Sequence, residues 1–144
     1  MGFGFSQVLP IVAQLWASKH AQRDYRFGNN AQQFVVIEQP ELHLHPAFQA
    51  KLADIFAKSV SKDSEISREG RRQLRIMAET HSPSLINRLG QLIAAGKVEK
   101  DDVQVVLFEQ AENSDATTVT IATFDDQGVL TNWPFGFFEP DYQS

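Results

Sequence analysis

The stretch Phe34-Val35-Val36-Ile37-Glu38-Gln39-Pro40-Glu41-Leu42-His43-Leu44-His45-Pro46 decides how the chain is read. Its continuous apolar run, 34–37, suits a strand buried on both faces, as in a parallel sheet. The run ends abruptly in Glu38, Gln39, Pro40 and Glu41. Pro46 suits the first position of a helix, and Phe48, Leu52, Ile55 and Phe56 line the apolar side of the helix that follows. An apolar strand ending in a carboxylate holds that group rigidly, as a Mg²⁺ and phosphate site requires. A strand that merely reaches the surface has the same pattern, so the neighbouring elements have to weigh in.

Downstream, 74–78 forms a second short strand candidate, ending in Glu79-Thr80-His81-Ser82. Ser82-Pro83 is a cap and first-turn proline. Leu85, Ile86, Leu89, Leu92 and Ile93 give the next helix an apolar face, and Gly96 stops it. A third strand is expected at 103–108, an alternating strand at 117–124, and a turn at Asp125-Asp126-Gln127-Gly128. Upstream, Gly2-Phe3-Gly4-Phe5-Ser6-Gln7 reads as a glycine-rich loop delivering Ser6, an N-cap, to a helix. Val8, Ile11, Val12, Leu15 and Trp16 form one face of that helix, with Pro10 expected in its first turn. Polar residues 20–33, with the turn signal Gly28-Asn29-Asn30, lead into the deciding stretch. Strand–helix–strand–helix–strand is the order of an α/β layered sheet. Ligands of such sheets bind past the carboxyl ends of the strands, and Ser6, Glu38 to Glu41 and His81 fall there or nearby.

A length of 144 residues is one domain's worth. Apolar and charged fractions of 42% and 22% exclude a wholly disordered chain. The net charge of −5 argues against a surface that is a nucleic-acid footprint throughout. With no cysteine there is no disulfide framework and no thiolate metal site. The apolar stretch at 8–16 is far short of the roughly 20 residues that span a bilayer and lacks the flanks of a signal peptide. A cytoplasmic protein without membrane contact is expected.

In three places the sequence resembles the ABC-class ATPases, in the branch that includes the overcoming-lysogenization-defect-like and SMC-like AAA-type proteins. Gly2 to Gln7 resembles the signature motif, Phe34 to Pro46 the Walker B strand and D-loop, and Glu79-Thr80-His81-Ser82 the switch-histidine loop. The aromatic tail Trp133-Pro134-Phe135-Gly136-Phe137-Phe138 is similar to the C-terminus of an uncharacterised bacterial subgroup. The string from Glu38 to Pro46 is the most specific of these, and the order of all of them agrees.

The resemblance implies the C-terminal half of a P-loop NTPase domain at 1–128, with a largely parallel sheet flanked by helices, a C-terminal hairpin, and an aromatic tail at 129–144. It implies ATP and Mg²⁺ as ligands. Glu38 takes the Walker B acidic position beside Mg²⁺. Gln39 stands where most ABC ATPases carry the glutamate that polarises the attacking water; an amide is no general base, but it can orient water, as glutamine does in GTPases. Glu41 is a candidate substitute for that base. His81 takes the switch-histidine position facing the γ-phosphate. Gly4, Ser6 and Gln7 meet the γ-phosphate held by an opposing subunit in a head-to-tail homodimer. Nucleic acid or an effector nuclease is the partner class that the family analogy suggests.

The 144 residues contain no Gly-x-x-x-x-Gly-Lys-Ser/Thr loop. The expectation is therefore a piece of a larger ATPase, from a truncated or split gene, incomplete for hydrolysis alone. The alternative is a non-catalytic interaction module that retains the fold and regulates a nuclease or DNA-linked partner. A third reading takes His43 and His45, with Glu38 and Glu41, as a Zn²⁺ or Mn²⁺ site. Residues at i and i+2 share a side only in extended chain. His20 reads as a solvated helix residue, and Arg68, Arg71, Arg72 and Arg75 as a solvated loop or a phosphate-contacting patch. Trp133 and the phenylalanines after it read as a core closure, a cover for a sheet edge or a partner surface.

Overall fold

The computed structural model describes residues 3–20, 33–61, 74–110 and 116–133. Gly2, the Gly28 turn, Arg68, Arg71, Arg72 and the tail from Pro134 lie outside these residues. The chain divides into two compact units, Met1–Arg88 and Leu89–Ser144, with the division inside one helix.

In the first unit, α1 (Phe3–His20) precedes β1 (Gln33–Glu38), α2 (Pro46–Val60) and β2 (Leu74–Glu79). The strands pair in parallel, from Gln33 beside Leu74 to Glu38 beside Glu79. Parallel neighbours need a crossover long enough to return the chain, and α2 supplies it. His45 caps α2, its Nδ1 accepting from the Ala47 N–H at 3.3 Å, and Pro46 takes the first helical position. Leu52, Ala53 and Phe56 are the buried residues of α2, and burying one leucine contributes about 2 kcal/mol. Phe48 stays 57% exposed, with the Lys51 ammonium 5.2 Å from its ring centre.

The expectation that β1 is buried on both faces does not hold among the described residues. Val35 and Ile37 are buried, whereas Phe34 and Val36 are 59% and 67% exposed. Successive side chains point to opposite faces, and among the described residues only the face of Val35 and Ile37 is covered. On β2, Met77 is exposed in the same way.

The start of α1 also departs from expectation. The helix begins at Phe3, so Ser6 lies in its first turn and is not its N-cap, and Gly4 is helical. Pro10 sits inside the helix, beyond the first turn. It has no N–H to donate to the Ser6 carbonyl one turn back. Leu15 and Ser18 are buried, while Val12 and Trp16 from the expected apolar face are exposed. The inward stripe is thus rotated from the face that hydrophobicity alone suggests.

Helix α3 (Pro83–Ala94) spans the division. Ser82 caps it, its Oγ accepting from the Leu85 N–H at 3.1 Å. Asp54 of α2 holds Arg88 through both carboxylate oxygens, at 2.9 and 3.1 Å. That hydrogen bond, and then the charge of Asp54, raise the guanidinium pKa above its ordinary value.

In the second unit α3 ends in a Schellman motif: Gly96, at φ 65°, donates to Ile93 O at 2.8 Å, and Lys97 donates to Leu92 O at 2.9 Å. A 3₁₀ turn, Lys100–Asp102, leads to β3 (Val105–Gln110), β4 (Thr117–Phe124) and β5 (Leu130–Thr131). These strands form one antiparallel sheet in the order β3-β4-β5. A largely parallel sheet is therefore not what the described strands make: β3 does not join β1 and β2. The segment after β3 is short enough for a hairpin return, and a hairpin is antiparallel by construction. Leu107, Ala122 and Phe124 are buried in this unit. At the β4–β5 turn Asp125 Oδ1 accepts from Gln127 N and Val129 N. Gly128, at φ 72°, meets Gly90 backbone to backbone; a Cβ on Gly128 would lie 1.9 Å from Gly90 O.

Candidate functional site

Glu38 and Glu79 end β1 and β2 side by side in register, so their side chains leave the same face of the sheet. Both are exposed. The Gln39 N–H donates to Glu79 O at 2.9 Å, carrying the pairing one residue beyond the strand. Gln39 then turns with φ 43°, and His43 with φ 64°, left-handed values that non-glycine residues seldom adopt. Between them the Leu42 N–H donates to Gln39 O and the Leu44 N–H to Glu41 O. The turn leaves Gln39, Pro40 and Leu42 on one side and Glu41 on the other.

The outward side opens a cleft of about 460 Å³ lined by Ile11, Glu38, Gln39, Pro40, Leu42 and Glu79. It lies past the carboxyl ends of the two parallel strands, the general place for ligands in such sheets. Of the residues singled out in the sequence, Glu38 and Gln39 line it. Glu79 was quoted only as part of a motif and given no role. The missed signal was that two apolar strands, each followed by a helix, both end in glutamate.

Glu41 faces the other way. It is 8% exposed, and its Oε1 accepts from the His81 N–H at 2.6 Å. Its Oε2 is buried with no partner among the described residues. A second bond ties the loop after β2 to helix α2: Ser82 Oγ donates to Gln49 Oε1 at 2.7 Å. The Gln49 amide in turn donates to Leu44 O at 3.0 Å. His81 itself is exposed, two residues beyond Glu79. Gly4, Ser6 and Gln7 lie in the first two turns of α1, and Ser6 is exposed.

The histidine metal reading is not assembled. Among the described residues no group of three or more histidine and acidic side chains is placed to hold a metal. His45 Nδ1 is used as a helix cap, and Glu41 is turned inward. A pair of carboxylates is nonetheless chemically suited to Mg²⁺, a hard cation that takes one or two protein carboxylates and completes its shell with phosphate oxygens and water. Glu38 and Glu79 provide that donor type. Among the described residues no helix is long and apolar enough to cross a membrane.

A family model described as an AAA ATPase domain matches residues 1–86, which include α1, β1, α2, β2 and every residue of the cleft. No curated protein and no solved structure matches the chain.

Proposed function

The chain belongs to the AAA ATPase domain family, and from that premise we propose that it contributes the Walker B, D-loop and switch-histidine elements of an ABC-class ATPase. The phosphate-cradling lysine loop, a motif these 144 residues do not contain, comes from other sequence. The observation that carries this reading is the cleft at the ends of β1 and β2, where Glu38, Gln39 and Glu79 converge.

Glu38, with Glu79 beside it, would hold Mg²⁺ with the nucleotide. When bound, the ion neutralises charge on the phosphate oxygens. Gln39 orients the attacking water through its amide and takes no proton. Its left-handed backbone aims it from the strand end into the cleft. His81 donates toward the terminal phosphate. Ser6, Gly4 and Gln7 serve a nucleotide held by a second copy in a head-to-tail dimer. Nucleic acid or an effector nuclease is the partner class on which such an ATPase acts.

The test is ATP turnover in the protein that carries this chain together with its lysine loop. Glu38→Gln removes the charge and keeps the shape, and should lower kcat on the order of 10²–10³-fold, the size of effect seen on removing one electrostatic stabiliser. The 144 residues alone should release no phosphate above a buffer blank. Unaltered turnover in Glu38→Gln assigns the cleft another purpose. A lysine-loop protein that binds no ATP favours the interaction-module reading.

A further inference from the structure

We propose that Glu41 is a positioning residue, whose carboxylate locks the loop leaving β1 to the His81 backbone so that the cleft and the histidine are set as one frame. The inference rests on the ATPase reading of Glu38 and His81 but is tested separately from it.

Glu41 looks at first like a spare base for a site that carries Gln39. Its geometry points elsewhere. It is 8% exposed, is not among the residues lining the cleft, and has Oε1 engaged by the His81 N–H at 2.6 Å. A buried carboxylate is costly unless hydrogen bonds or a counter-charge compensate it. Here one oxygen has a single backbone N–H and the other has no partner among the described residues. For holding two loops together an apolar pair would serve at less cost. What a carboxylate adds is a short, directional, charge-assisted bond to one chosen N–H. That N–H belongs to the residue expected to face phosphate.

The turn around Glu41 explains how the bond communicates. Gln39 and Leu42 face the cleft while Glu41, between them, faces His81. A shift of the 39–42 turn, as when the cleft fills, moves the carboxylate and with it the His81 backbone. The Ser82–Gln49 bond holds the next residue at the cap of α3.

Two variants separate this role from a structural or a basic one. Glu41→Ala removes the bond; Glu41→Gln keeps an acceptor for His81 N–H but cannot act as a base. In amide hydrogen exchange on the 144-residue chain, Glu41→Ala should speed exchange at His81 by about tenfold or more, as local opening does. The β1 and β2 ladder amides should be unchanged, and Glu41→Gln should restore most of the protection. In the ATPase carrying the lysine loop, Glu41→Ala should lower kcat on the order of 10²-fold, the effect of a misplaced group, with KM for ATP little changed. Glu41→Gln should recover the turnover. Unchanged exchange at His81 in Glu41→Ala overturns the proposal, as does uniform loss of protection across both strands. Turnover as poor in Glu41→Gln as in Glu41→Ala also overturns it and makes Glu41 the base. If Glu41→Ala does not fold, Glu41→Gln decides alone: native protection at His81 with native turnover supports the lock, and loss of either overturns it. Failure of the ATPase reading shows in Glu38→Gln and leaves the exchange result standing.

Discussion

In the Met1–Arg88 unit the bonds that shape the cleft join residues far apart in sequence. Glu41 meets His81 across 40 positions, and Ser82 meets Gln49 across 33. In the Leu89–Ser144 unit the bonds that set the turn and the helix end are local. Asp125 closes the β4–β5 turn over two and four positions, and Gly96 and Lys97 end α3 on carbonyls of its last turn. The first unit is tied by long-range bonds between segments that its sheet brings together. The second makes a hairpin sheet whose turns are specified where they stand. Long-range ties are formed only after the chain has met the entropy of closing the intervening loops. They are therefore the part of the molecule that local sequence signals describe least.

Four experiments break or sharpen this contrast. The largest effect is expected at Ile37. Ile37→Ala should cost about 2–5 kcal/mol in denaturant unfolding, because Ile37 is 9% exposed under the helices. Val36→Ala, next to it on the outer face at 67% exposure, should stay within about 0.5 kcal/mol. Equal costs at the two positions show that both faces of β1 are covered, as the sequence suggested.

In the second unit, Gly128→Ala should destabilise by roughly 2–4 kcal/mol, combining left-handed strain with overpacking. The φ of 72° and the Gly90 carbonyl 1.9 Å from the new Cβ leave no room. Exchange at the β1 and β2 amides reports whether the loss is confined to Leu89–Ser144. A tolerated alanine means that the two backbones do not touch.

Ser82→Ala removes both the α3 cap and the donor to Gln49. Its cost in thermal unfolding should be about 1–2 kcal/mol. Ser82→Thr should recover the cap, and an unchanged midpoint in Ser82→Ala argues against it.

The smallest effect concerns Lys100, whose ammonium meets Asp126 at 2.7 Å. The hydrogen bond to Asp126, then that residue's charge, raise the lysine pKa. A raised folded value means a stabilisation fully present below the ordinary lysine range near 10.4, and lost as pH rises through the folded value. The slope of stability against pH above about pH 10 should therefore be shallower in Lys100→Met than in the parent, with little difference at pH 7, because exposed pairs contribute little. Equal slopes show that the pair is not formed in solution.

Legibility in the sequence followed the same division. Gly96 as a helix stop, Ser82-Pro83 as a helix start and Asp125 to Gly128 as a turn all stand where expected, because each is decided by residues within a few positions. Glu38 and Gln39 at a strand end were legible as well, since an apolar run and its polar stop are adjacent in sequence. Ser6 was misread: a good capping residue is only a local preference, and the helix starts three residues earlier, at Phe3.

The sequence by itself determined the βαβ order of the first unit, the carboxylate at the exit of β1 and the family to which residues 1–86 belong. Only the tertiary structure decided that Glu79 stands beside Glu38, that Glu41 turns inward to His81, and that β3 pairs with β4 and not with β2. Strand register and loop-to-loop hydrogen bonds are choices among partners distant along the chain. A residue's own chemistry says what it can bond to, and the fold alone says which candidate comes within reach.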